Sequence, residues 1–264
     1  MCGHSDMTLH PDDLAAHYER LADDFEESWA HSPAFVTWMN RCIGTRLALR
    51  PGDRAADIGC GSGLYSRSMA EHAVTVVCVD PSTKMLAKLP TRPSLVPVRA
   101  SIEDLAEGAV QLPHAGRLDA VLAKDVIHHA RDVPMALRTL AALLAPGGRL
   151  VIVTWPLRID YPLFGKAVEQ HERAYIDPDD MARVLTDCGL RVEATCERYH
   201  LSIAKEQWLA WVANRFMSLL CTFDDDELAE GLSEIDARYP GPVIGFEGRF
   251  VFTCASGQED VSRG

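Results

Sequence analysis

Ala55-Ala56-Asp57-Ile58-Gly59-Cys60-Gly61-Ser62-Gly63 is the stretch on which the fold turns. A short apolar run enters a loop with glycine at every second position. Glycine there permits a tight turn and lets a ligand approach the main chain. Just downstream, residues 74–79 are rich in β-branched side chains and read as a buried strand, ending at Asp80-Pro81-Ser82. Residues 95–98, 118–123 and 150–155 read as further strands. Residues 64–72, 83–89 and 133–144 read as the intervening helices, the last stopped by Pro146-Gly147-Gly148. This alternation predicts an α/β fold built on a doubly wound, mostly parallel sheet.

The flanks have a different pattern. Residues 12–48 read as helical, with Leu14, Tyr18, Leu21 and Phe25 at helical spacing. Past the fifth strand, residues 178–188 form a helix ended by Gly189, residues 191–203 are extended, and residues 246–254 close the chain as a strand. Between those two strands lie a helix at 206–220, rich in large side chains, and another at 225–239. The expected organisation is a single domain over 1–264, with 12–48 as an N-terminal helical cover and 204–240 as a helical lid inserted near the C-terminus.

The 264 residues carry 26 Lys+Arg against 38 Asp+Glu, a net charge of −12, with 47% hydrophobic and 24% charged side chains. This is the profile of a globule with a sizeable core. Its acidity argues against nucleic acid and against anionic membranes as partners. No apolar run is long enough for a membrane span, and residues 1–11 lack the basic-then-apolar pattern of a signal peptide. The expected location is cytoplasmic, as a monomer or homodimer. The eight cysteines are scattered without a C-x-x-C pair, so neither a disulfide framework nor a metal site is expected. Asp224-Asp225-Asp226-Glu227 lacks calcium-loop spacing and suits a helix start.

The glycine spacing is G-x-G-x-G, one residue short of the dinucleotide fingerprint. A lone glycine loop is weak evidence, but four features follow it in order. Asp80 stands at the end of the second strand, where a carboxylate can accept hydrogen bonds from a ribose diol. Ala100-Ser101-Ile102-Glu103-Asp104 follows the third strand, and Val126-Ile127-His128-His129 follows the fourth. Leu144-Ala145-Pro146-Gly147-Gly148-Arg149-Leu150 enters the fifth.

Together these features resemble the class I S-adenosylmethionine-dependent methyltransferases of small-molecule type, over about residues 14–155 and more loosely to 254. The resemblance implies a seven-stranded sheet with an antiparallel last strand and S-adenosyl-L-methionine as cofactor. It implies that Gly59, Cys60, Gly61 and Gly63 pass beneath the methionine part, with Asp57 near its amino group. Asp80 would bind the ribose, with Pro81, Ser82 and Met85 beside the adenine. Ser101 and Ile102 match the adenine-contacting pair, although many members carry Asp where this chain has Ser101. Lys124, Tyr18 and His129 complete the cofactor-side set, Tyr18 as an aromatic that closes over the ligand. Plainer roles stand beside these: Asp57 and Asp80 as caps, Cys60 as packing, Lys124 as a solvated surface charge.

For the methyl acceptor, His128 is the candidate general base, because it follows the fourth strand at the carboxyl edge where ligands bind in doubly wound sheets. The alternative is that it only shapes the pocket. Trp155 and Tyr161 are expected to line the acceptor site. Trp208, Trp211, Arg215 and Leu219 recur at three or four residues and are expected on one helical face. On that face Trp211 and Arg215 are candidate acceptor contacts, with Arg215 either pairing inside the lid or gripping an anionic acceptor. The expected reaction is methylation of a small, largely apolar or aromatic metabolite in bacterial secondary metabolism, at oxygen, nitrogen or carbon. The alternatives are a protein or RNA acceptor, a non-methylating step such as cyclisation, and a non-catalytic binding subunit.

Overall fold

A computed structural model describes residues 11–257. Residues 1–10, Cys2 among them, lie outside the described residues. Seven strands, β1 (Arg54–Ile58), β2 (Thr75–Asp80), β3 (Leu95–Arg99), β4 (Leu118–Lys124), β5 (Leu144–Thr154), β6 (Arg191–Ala204) and β7 (Val243–Ser256), form one sheet in the order β3-β2-β1-β4-β5-β7-β6. The first five pair in parallel, and β7 runs antiparallel to both β5 and β6. The chain builds outward from β1 to β3, then returns to place β4 on the other side of β1. The strand order therefore reverses between β1 and β4, and a crevice opens at their carboxyl ends.

Both faces of the sheet are covered, which explains the near-continuous apolar runs of β2 and β4. The period-two alternation of each strand divides its side chains between two cores. Val76, Cys78, Leu122 and Val153 pack on one face with Phe35, Met39, Ile43 and Leu47 of α3 (Pro33–Leu47). Val77, Val79, Val121 and Ile152 pack on the other with Leu137 and Leu140 of α7 (Val133–Ala142) and Leu185 of α9 (Pro178–Asp187). The start of α3 is legible in the sequence: the Ser32 hydroxyl accepts from Phe35 N, and Pro33 occupies the first turn.

The N-terminal segment is three helices: α1 (Pro11–Leu21), α2 (Phe25–Ala30) and α3. The helices after the first two strands are shorter than their sequence spans, α4 (Ser66–Met69) and α5 (Thr83–Leu86), and α6 (Ile102–Ala106) follows β3. α8 (Gly165–Ala174) has no strong signal in the sequence, because only Ala167 and His171 are buried along it. Between β6 and β7 lie α10 (Lys205–Ala213) and α11 (Asp225–Arg238). No helix among the described residues is long and apolar enough to cross a membrane.

One expectation is overturned. The helix expected at 206–220 ends at Ala213, and Arg215 adopts a left-handed conformation with φ of 51°. The chain then folds back into a short 3-10 turn, Ser218–Thr222. Trp208, Trp211, Arg215 and Leu219 therefore do not form one helical stripe. Leu219 faces the crevice, while the two tryptophans enter the core.

Candidate active site

The loop after β1 is held by its backbone. The N–H groups of Gly59 and Cys60 both donate to Val79 O, at 2.8 and 2.9 Å, which ties the loop to the end of β2. Gly63 N donates to Cys60 O at 2.9 Å. Gly59, Gly61 and Gly63 have φ of 72°, 54° and 81°, in the region that disfavours side chains. A Cβ on Gly59 would also lie 2.7 Å from the Val126 side chain. The main chain of the loop is thus pressed against the segment after β4, and Gly59 and Gly61 face a cavity. Gly63 packs behind it, against Leu89.

Asp80 is buried, and its two oxygens accept separate backbone N–H bonds of 2.9 Å from Gly61 and Ser82. The plainer capping role and a ligand-facing role therefore coexist in one carboxylate, since each oxygen keeps a free lone pair. Burial pushes its carboxyl up to about 6. Asp57 accepts a hydrogen bond from the Ser66 hydroxyl, and burial pushes its carboxyl up to about 7. Ser101 and Asp104 close a capping box at the start of α6, so the Ser101 hydroxyl is already engaged.

These residues wall a cavity of about 1050 Å³, its open mouth included. Its lining includes Tyr18, Asp57, Gly59, Cys60, Gly61, Asp80, Pro81, Met85, Ser101, Ile102, Lys124 and His129. Twelve of the fourteen cofactor-side candidates thus meet in one place, while Gly63 and Ser82 are not part of the lining. Lys124 is not a solvated surface charge. Its side chain is 10% exposed, pairs with Asp125, and lies over the Tyr65 ring at 5.2 Å. Burial pulls its ammonium down, but Asp125, Tyr65 and Asp57 outweigh that and hold it charged above its usual range.

A second cavity of about 780 Å³, again with its mouth, adjoins the first and shares Leu14, Tyr18, Trp29, Asp125 and His129 as common wall. Its own lining includes His128, Trp155, His171, Tyr175, Met217 and Ser218. The Tyr18 hydroxyl and His129 Nε2 are hydrogen-bonded at 2.9 Å across the boundary. His128 lies flat on Tyr175, and its Nδ1 is buried with no hydrogen-bond partner among the described residues. Burial pushes His128 down to about 4 and His129 well below the usual histidine range, so both rings are neutral near pH 7.

Three acceptor candidates are misplaced by the sequence reading. Tyr161 lies beneath the cavity wall, against Trp155 at 3.8 Å and Phe246 at 4.8 Å, with its hydroxyl bonded to His31. Trp211 packs among Trp208, Phe216 and His31. Arg215 lies in a separate outer cleft with Arg20 and Cys221, where it pairs with Asp225 at 2.8 Å. Its in-lid pairing is the role the geometry supports. The sequence reading also missed residues of both cavities: Asp125, whose φ of 53° is unusual for a side chain, together with Tyr65, His171, Tyr175 and Ser218.

Residues 34–195 match the family described as Methyltransferase domain. The chain belongs to this methyltransferase family. The ubiquinone biosynthesis O-methyltransferase of Xanthomonas euvesicatoria is 31% identical over 166 residues, 57% of this methyltransferase and 67% of that protein. Its counterpart in Xanthomonas campestris (strain B100) is 35% identical over the same shares. Among solved structures, the [4+2]-cyclase SpnF aligns with a TM-score of 0.63 at 14% identity, over 96% of this chain and 98% of its own. The Haemonchus contortus phosphoethanolamine N-methyltransferase 2, crystallised with S-adenosyl-L-methionine, aligns at 0.54 and 19% identity, over 84% of this chain and 52% of its own. At these identities the structural matches establish the methyltransferase fold.

Proposed function

We propose that this methyltransferase transfers the methyl group of S-adenosyl-L-methionine to a hydroxyl of a small, neutral, largely aromatic metabolite. The observation that carries the reading is the aromatic, histidine-lined chamber that adjoins the glycine-loop cavity and shares lining residues with it. The relatives' O-methyltransferase names favour oxygen over nitrogen or carbon.

The residues fit the cofactor. Gly59 and Gly61 line the cavity without side chains, so a ligand can approach the loop main chain there. Asp80 has lone pairs for a ribose diol, and Pro81, Met85, Ser101 and Ile102 offer a largely apolar slot for a base. Asp57 offers a carboxylate to an ammonium, and Lys124 an ammonium to a carboxylate. When bound, S-adenosyl-L-methionine supplies a methyl group on a positively charged sulfur that departs as a neutral thioether.

The chain's own contribution is alignment and exclusion of water, which can supply much of the rate. Tyr18 and Trp29 line both cavities and stand where the two adjoin. His128 lines the second cavity, and its Nδ1 is unpartnered among the described residues; with the ring neutral and the proton on Nε2, Nδ1 is an acceptor. The hydroxyl becomes strongly acidic as its oxygen bonds carbon, so even a weakly basic imidazole can take that proton.

The test uses methyl-labelled S-adenosyl-L-methionine and a fractionated bacterial extract. Label in the small-molecule fraction supports the reading. Label only in protein or RNA overturns the acceptor class, and products formed without label identify a non-methylating reaction.

A further inference from the structure

Asp125 stands out from the residues already assigned. It sits one residue past β4 with a φ of 53°, a backbone state that a side-chain-bearing residue adopts at a cost and that clusters at functional sites. Its carboxylate is engaged on one side only. Oδ2 receives Lys124 Nζ, while Oδ1 is sealed from solvent with no hydrogen-bond partner among the described residues. It also belongs to the wall common to both cavities. The backbone N–H of Asp125 donates to Val153 O at 2.9 Å, which fixes the turn and the direction of the side chain.

A buried carboxylate oxygen without a donor is costly. Lys124 neutralises the charge but leaves that one lone-pair site unfilled. The neighbouring unfilled acceptor, His128 Nδ1, has the same requirement. A hydroxyl can donate to such an atom, whereas neither welcomes a second anion. The ion pair has no net charge and the histidines are neutral, so nothing in this wall selects a cation over a neutral hydroxyl.

We propose that Asp125 is the acceptor-binding residue of this methyltransferase, its free Oδ1 taking a hydrogen bond from a hydroxyl of a neutral hydroxyaromatic other than the one methylated beside His128, while Lys124 clamps the other oxygen. The proposal rests on the second cavity being the acceptor chamber. It makes Asp125 and Lys124 a specificity device that rejects carboxylates and phosphates at that end of the acceptor and accepts phenol-type hydroxyls.

The test is binding to the full-length protein saturated with S-adenosylhomocysteine, followed by fluorescence. The probes are 2-naphthol, 2-methoxynaphthalene, which lacks the donor, and 2-naphthoate, which carries a charge. The expected result is that 2-naphthol binds about tenfold or more tightly than the other two. Asp125→Asn, which tolerates the same φ, should reduce that preference to about threefold or less. It should leave affinity for 2-methoxynaphthalene unchanged and should not weaken S-adenosylhomocysteine binding. Asp125→Gly, free to adopt the φ and lacking any acceptor, should abolish the preference. Equal binding of the three probes by the wild type, or an undiminished preference in both variants, overturns the assignment. A loss of S-adenosylhomocysteine affinity in Asp125→Asn also overturns it, by placing Asp125 on the cofactor. If the wild type binds S-adenosylhomocysteine but none of the naphthalenes, the acceptor-chamber reading itself fails.

Discussion

The two cavities share a wall but are built by different means. The glycine-loop cavity is made by strand ends that lie side by side in the sheet. Its key contacts, such as Gly59 N and Cys60 N to Val79 O and Asp80 to Gly61 N, are fixed by main-chain geometry. The histidine cavity is assembled from α1, α2, the turns after β4 and β5, α8 and the 3-10 turn Ser218–Thr222, joined by side-chain bonds such as Tyr18 to His129 and Trp155 N to the Tyr175 hydroxyl. A backbone-built site admits little change without loss of the fold's crevice. A side-chain-built site can change its ligand while the sheet stays intact, which is how one fold hosts many reactions.

The contrast can be broken or sharpened by substitution on each side. His128→Gln should lower turnover by about 10²- to 10⁴-fold while S-adenosylhomocysteine binds as in the wild type, measured by calorimetry. Near-normal turnover would make the ring a wall and nothing more. Gly59→Ala combines left-handed strain with overpacking against Val126. It should cost about 2–5 kcal/mol, read as lost cofactor affinity or a lowered melting temperature.

Asp57 gives a pH-dependent test on the backbone-built side. Its carboxyl is raised to about 7 in the folded protein, against an ordinary value near 4 when unfolded. The folded state therefore holds this proton more tightly, and the associated stability is complete below about pH 4 and is lost as the pH rises to about 7. Asp57→Asn should thus be more stable than the wild type at pH 8, by on the order of 3 kcal/mol, with the gain vanishing near pH 4 in denaturant melts of the ligand-free protein. Asp80→Ala should weaken S-adenosylhomocysteine binding about 10- to 100-fold. The smallest effect is expected from Arg215→Asn, which keeps the φ and removes one exposed ion pair. Stability should change by less than about 1 kcal/mol, and kcat/KM should stay the same. A large fall in kcat/KM would return Arg215 to the acceptor.

The same contrast explains what could be read from the sequence. The glycine spacing, the β-branched run of β2 and the carboxylate that ends it are local patterns, and each follows from the rules of strands and tight turns. Asp80, Ser101 and Lys124 came with them because they stand at strand ends. The plainer reading of Lys124 as a surface charge fails, since Trp29 and Tyr65 from elsewhere in the chain pack beside it. The helical placement of Arg215 fails for a different reason, although the in-lid pairing read for it matches its ion pair with Asp225. A helical spacing was extended past Ala213, where the sequence has no glycine or proline to announce the left-handed turn. Tyr175 and His171 were missed because α8 buries little and leaves no clear apolar period. Asp125 carries no motif, and its one distinguishing property, a positive φ, is invisible until the chain is folded.

α1 forms part of the wall of both cavities through Leu14 and Tyr18, and it is tied down at several points. Glu19 Oε1 accepts from the Ser82 hydroxyl at 2.8 Å, Arg20 Nη1 donates to Asn214 Oδ1 at 2.6 Å, and Tyr18 is bonded to His129. A roof common to two rooms makes their traffic interdependent. Under the proposed function, a lifting of α1 would open both cavities at once, so release of the spent nucleoside and of the product would share one step.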